Sequence, residues 1–171
     1  TGSNEDPFRS IQAALNFGTD DDTAFVAAGT YPEHLVYRYD EQENIRSVSL
    51  TGEDRESTFI DGGSSGTCIT LPANGYSSLR IQNFTIHNGH ADRGGGIKID
   101  HNYDLVQLYD LSIDNCFSGV EGGGLYSINS TLDIQDCNFT DNQSEFGAGI
   151  SFEAELQNPN IETLYIENSL F

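Results

Sequence analysis

Apolar and variable residues alternate in LRIQN, Leu79 to Asn83, and the same pattern returns in LSIDN, LDIQD and LYIEN. Leu79, Leu111, Leu132 and Leu164 form one apolar column, and Ile81, Ile113, Ile134 and Ile166 form a second. The fifth place holds Asn83, Asn115, Asp136 and Asn168, and the next apolar column holds Ile86, Phe117, Phe139 and Phe171. Alternation over five positions predicts a strand with one buried face. A glycine-led strand follows in three units, GGGIKI from Gly94, GGGLYS from Gly122 and GAGISF from Gly147, with the glycines marking turns. Units spaced 32, 21 and 32 residues apart, leucine to leucine, predict an all-β solenoid whose parallel coils stack about 4.8 Å apart and bury one another's faces. Asn and Asp in the fifth column are read as a structural ladder that satisfies turn backbone and neighbouring amides.

The first third follows another rhythm. Phe8, Ile11, Ala14 and Leu15 after Pro7 predict a short amphipathic helix over about residues 7–17, placed to cover the open end of the solenoid. Short segments broken by Gly, Asp and Pro follow, and these are read as the first coils from about residue 23. A chain of 171 residues then makes one domain, residues 1–171. The final LYIENSLF opens another coil, so the expectation is a longer solenoid or head-to-tail self-association, which builds a filament if the contact does not close.

Charge narrows the partners. Seven basic against 27 acidic residues give a formal charge of −20, which disfavours nucleic acid and anionic membrane. No run approaches the roughly 20 apolar residues of a membrane span, so membrane insertion is not expected.

The run from IQAALN through FVAAGTYPEHL, SVSLTGEDRESTFIDGG and FTIHNGHADRGGGI resembles the right-handed parallel β-helix, or pectin-lyase-like, superfamily. Within it the chain is similar to secreted or surface-anchored bacterial β-helix-repeat proteins. Its FTDN and GAGI elements resemble polymorphic outer-membrane adhesins, and its first half resembles the opening coils of pectin methylesterases. The resemblance implies a right-handed parallel β-helix, a secreted or cell-surface location, and a structural, adhesive or glycan-binding role with a polysaccharide or cell-surface glycan as partner. The alternative it implies is a polysaccharide lyase or hydrolase, although the methylesterase catalytic motifs are absent.

Candidate chemistry follows from which residues face outward. The variable positions give one column of Arg80, Ser112, Asp133 and Tyr165 and another of Gln82, Asp114, Gln135 and Glu167. Asp114 and Asp133 are then expected diagonally across neighbouring coils, near enough for paired-carboxylate catalysis. Unequal loop lengths predict two notches above the middle coil. One gathers His87, His90, Asp92, Asp141 and Glu145; the other gathers Asp100, His101, Tyr103, Asp104, Tyr109, Glu153, Glu155 and Asn158. Tyrosines beside carboxylates and amides suit a sugar, and several hard oxygens suit calcium. No EF-hand or zinc spacing fixes a metal or other cofactor.

Cys116 and Cys137 each follow the fifth-column residue, so the alignment stacks them. Free thiols are favoured over a disulfide there, because parallel side chains suit its dihedral poorly. Cys68 has no evident partner. Sequons occur at Asn83, Asn129, Asn138 and Asn142, but Asn83 belongs to the inward ladder and has no room for a glycan.

Overall fold

The computed structural model describes residues 2–3, 5–40, 45–73, 77–154 and 163–171. It is a parallel β-solenoid of about five turns with one short helix near the amino terminus. Three strand runs make each complete coil. The first comprises β1 (Thr23–Val26), β4 (Ser49–Gly52), β7 (Leu79–His87), β10 (Leu105–Asp114), β13 (Thr131–Gln135) and β16 (Leu164–Glu167), hydrogen-bonded in that order. Beyond a corner, β2 (Gly29–Tyr31), β5 (Thr58–Asp61) and β14 (Asn138–Thr140) continue the same nine-stranded sheet beside the second halves of β7 and β10. A small sheet pairs β8 (His90–Arg93) with β11 (Phe117–Glu121). The last run stacks β3 (Leu35–Val36), β6 (Ile69–Leu71), β9 (Ile97–Asp100), β12 (Leu125–Ile128) and β15 (Ile150–Glu153).

The core is a set of apolar columns. Leu50, Ile81, Leu108 and Ile134 stack in the first run. Ile60, Ile86, Ile113 and Phe139 stack in the second, and Ile69, Ile97, Leu125 and Ile150 in the third. All but the partly buried Ile150 are fully or almost fully buried. Burying one such side chain contributes about 1.5–3 kcal/mol, so the columns hold the coils in place.

Corners explain the asparagines. Asn83, Asp110, Asp136 and Asn168 have φ of 63°, 48°, 54° and 50° at the end of the first run, and Asn88, Asn115 and Asp141 have 57°, 50° and 53° at the end of the second. Asn and Asp enter this left-handed region more readily than other side-chain-bearing residues. Asn115 Nδ2 donates to Asn88 Oδ1 at 2.6 Å, and Asn88 Nδ2 donates to Asp61 Oδ1 at 3.0 Å. Arg55 ties the first corner across coils, with its guanidinium 2.7 Å from Asp110 Oδ1 and donating to the Asp136 carbonyl at 3.2 Å.

The register corrects one coil of the sequence alignment. Val106, not Leu111, stands between Leu79 and Leu132, while Leu111 pairs with Phe84. Consequently Asp110 takes the place expected for Asn115, which belongs to the second corner, and Ile113 rather than Phe117 pairs with Ile86. The first-run spacings are therefore 27, 26 and 32 residues, from Leu79 through Val106 and Leu132 to Leu164. The physical reason is that the coils starting at Leu79, Val106 and Leu132 each carry two consecutive five-residue strand-and-corner units, VQLYD then LSIDN in the middle one. A slip by one unit leaves the apolar pattern unchanged.

Helix α1 (Ile11–Phe17) begins four residues after Pro7 rather than at it. Ser10 caps it by accepting from the Ala13 N–H at 3.2 Å, and the Glu33 carboxylate accepts from the N–H groups of Ile11 and Gln12 at 2.9 Å each. Those bonds satisfy donors that a helix start leaves open. Ile11 and Leu15 are buried against the first coil.

The same slip separates two cysteines. Cys137 falls level with Leu111, and Cys116 falls level with Gly89, so they do not stack. Cys68, Cys116 and Cys137 are all buried free thiols. Cys68 finds a partner after all, since its thiol meets that of Cys116, and this contact and burial both push Cys68 upward from its ordinary value.

Candidate functional site

Strand alternation places the variable residues of the first run on an outward face. Register gives one ladder of Thr23, Ser49, Arg80, Gln107, Asp133 and Tyr165, and a second of Phe25, Thr51, Gln82, Tyr109, Gln135 and Glu167. At about 4.8 Å per coil, six strands offer a track about 24 Å long. Tyr109, Tyr165 and Phe25 remain 39%, 51% and 82% exposed.

Hydrogen bonds organise the polar members. Arg80 Nη2 donates to Gln107 Oε1 at 3.0 Å, Gln107 Nε2 donates to Asp133 Oδ2 at 3.4 Å, and Gln135 Nε2 donates to Asp133 Oδ1 at 3.0 Å. Gln82 Nε2 donates to Thr51 Oγ1 at 3.2 Å, and the Arg80 guanidinium lies 6.0 Å from the Tyr109 ring centre. Tyr165 donates to Glu167 Oε2 at 3.0 Å, a bond that pushes the phenol upward from its ordinary value. Toward the amino-terminal coils this face dips into a groove of about 420 Å³, lined by hydroxyls, amides and Arg80 and edged by Phe25 and Leu105. Amides and hydroxyls held in fixed directions beside exposed aromatic rings can bond and stack on a polyhydroxylated chain.

Asp114 is not part of this face. It pairs with His87 and Thr140, whereas Asp133 pairs with Gln107 and Tyr165. The expected Asp114–Asp133 diagonal is therefore not formed, because the five-residue slip moves Asp114 past the corner at Asp110. Asp114 is pushed upward from the ordinary carboxylate range, chiefly by burial, with His87 opposing and Asp141 adding to the shift. Asn88 donates to His87 Nδ1 at 3.0 Å, which puts the proton of neutral His87 on Nε2, a buried atom with no hydrogen-bond partner.

The two expected notches are brought together only in part. In the first, His87 lies in the ladder between Asp61 and Asp114, and Asp141 acts on Asp114. The His90 ring instead lies tilted against that of Phe117, with centroids 4.6 Å apart. Asp92 sits on β8 and Glu145 in the connection after β14, outside the register that joins Asp61, His87 and Asp114.

In the second, His101 Nδ1 bonds Asp100 Oδ1, His101 Nε2 accepts from Asn129 at 3.0 Å, and the Tyr103 ring is 6.4 Å away. The Asp104 carbonyl accepts from Asn102. Tyr109 stands on the outward face of the first run instead, beside Gln82 and Gln135. Glu155 and Asn158 lie outside the described residues.

Glu153 belongs to a group that sequence reasoning missed. Arg93 Nε lies 2.8 Å from Glu121 Oε2, its guanidinium sits 5.5 Å from the Tyr126 ring centre, and Tyr126 donates to Glu153 Oε2 at 3.5 Å. Burial first, and then the Glu121 carboxyl, push Glu153 upward; burial pushes Tyr126 up to about 12. Only the coil register could have revealed this group, since Arg93, Glu121 and Glu153 come from three successive coils. Among the described residues no group of three or more His, Cys, Asp or Glu side chains is placed to hold a metal ion. No described helix is long and apolar enough to cross a membrane.

No family model, curated protein or solved structure matches the chain.

Proposed function

We propose that this solenoid is a secreted or cell-surface module that binds an extended, neutral glycan along the outward face of its first strand run, in a structural or adhesive role. The observation that carries the reading is the Arg80–Gln107–Asp133–Gln135 chain of hydrogen bonds beside exposed Tyr109 and Tyr165. Its members are directed but not buried, so a sugar can exchange with solvent at each one. A neutral chain fits better than a polyuronate, because a protein of charge −20 repels an anionic polymer. Extracellular placement rests on the resemblance to secreted β-helix-repeat proteins.

Affinity electrophoresis through gels containing soluble β-glucan, mannan, xylan or polygalacturonate tests the proposal. Retardation by at least one neutral polymer, weakened about tenfold by Gln107→Ala or Tyr109→Ala and unchanged by Asp114→Asn, is expected. Migration unaffected by every polymer would sink it. Polymer cleavage abolished by Asp114→Asn would replace the binding module with an enzyme.

A further inference from the structure

A second surface lies at the other end of the first run. Among the described residues, strand β1 is the edge of its sheet and pairs with β4 alone. The carbonyls of Asp22 and Val26 accept from the amides of Ser49 and Glu53 at 2.9 and 2.8 Å. In a parallel ladder alternate residues bond to one side, so Thr23 and Phe25 turn both their N–H and C=O away from β4. An unpaired edge of this kind is a template for another strand.

Beside that edge runs a cleft of about 760 Å³, walled across from β1 by Phe8, Ile11, Ala14 and Phe17. The Phe8 and Phe17 rings pack 5.3 Å apart, and Phe17 is 68% exposed. Asp22 and Glu53 also line the cleft, and Asp20 and Asp21 immediately precede β1. Among the described residues none of these four carboxylates forms an ion pair with Lys or Arg. Arg46 is turned to the carbonyls of Asn16 and Gly18 at the end of α1.

We propose that the free edge of β1 and the cleft beneath α1 dock an extended, basic strand of a partner protein. Backbone pairing to Thr23 and Phe25 supplies the alignment, alternate apolar side chains enter between β1 and the helix, and Lys or Arg side chains meet the acidic rim. This is strand addition to an exposed edge, in which backbone bonds give affinity and alternate side chains give specificity. It shares Thr23 and Phe25 with the amino-terminal end of the glycan-binding ladders but uses none of Arg80, Gln107, Asp133 and Gln135, nor the groups around Asp114.

The test titrates the 171-residue chain with the capped peptide Lys-Val-Lys-Val-Lys-Val-Lys by calorimetry, at low and high salt. One-to-one binding that weakens with salt is expected. Phe25→Pro removes an edge N–H without touching the β4 ladder, a place where an edge strand tolerates proline, and is expected to weaken binding at least tenfold. The same peptide N-methylated at alternate backbone positions must lose affinity on the unaltered protein, which keeps the test independent of how the variant folds. No binding, or equal binding by the N-methylated peptide, overturns the proposal. Concentration-dependent dimerisation of the chain alone, abolished by Phe25→Pro, overturns the choice of partner in favour of a second copy.

Discussion

Two outward faces of one solenoid use similar residues differently. On the first run, Tyr109 and Tyr165 stand open beside amides. On the last run, Tyr126 is 4% exposed beneath Arg93 and beside Glu153. Both faces stack one residue per coil, so the difference lies in what neighbouring coils contribute. Arg93 and Glu121 pair with each other and close over the tyrosine, whereas Gln107 and Gln135 bond along the ladder and, although Arg80 lies 6.0 Å over the Tyr109 ring, both rings of that face stay exposed. Charged partners from successive coils make a face that stabilises the fold; amides and exposed rings make one that can receive a ligand.

The largest effect that would break this contrast is on stability. Tyr126→Ala is expected to lower the unfolding free energy by about 3 kcal/mol, the usual scale for removing a buried aromatic ring. Tyr165→Ala is expected to change it by less than about 0.5 kcal/mol, as at ordinary surface sites. Urea denaturation of both variants decides it, and equal losses would mean that the two faces do not differ as described.

How much of this was legible follows from the pentads. Leu79, Leu132 and Leu164 announced a parallel solenoid because coil geometry needs inward residues at alternate positions and an Asn or Asp at the corner. The same economy hid the register. VQLYD and LSIDN satisfy one rule, and nothing local says which opens the coil. That single ambiguity misplaced Asp114, Asn115 and Cys116 while leaving Arg80, Gln82, Asp133, Gln135, Tyr165 and Glu167 correctly on the exposed face. Cross-coil groups such as Arg93–Glu121 and Cys68–Cys116 were beyond reach, since their residues are 28 and 48 positions apart and meet only when the coils are wound.

The pH response sharpens the contrast by a smaller amount. The folded state holds Glu153 above its ordinary value of 4.5, so folding favours its protonated form. That contribution is complete below about pH 4.5, and it is lost as pH rises through the elevated folded value, because the unfolded chain gives up its proton first. Glu153→Gln is expected to flatten the decline of Tm over this interval and to be no less stable at neutral pH. A variant whose Tm falls with pH as steeply as the parent would assign the slope to other groups.

The smallest effect concerns the buried side of the same run. Ser127 lies in the inward column between Ile99 and Phe152, fully buried, and its hydroxyl has no hydrogen-bond partner. An unpaired buried hydroxyl has lost water without replacement, so removing it is expected to be neutral or to stabilise by up to about 1 kcal/mol. Ser127→Ala, followed by thermal unfolding, therefore should not weaken the fold, although it touches the centre of the core. A loss above about 1 kcal/mol would show that the hydroxyl finds an acceptor in solution. The inward side of β12 would then depend on polar bonding as its outward side does, and the contrast between the two runs would extend through the sheet.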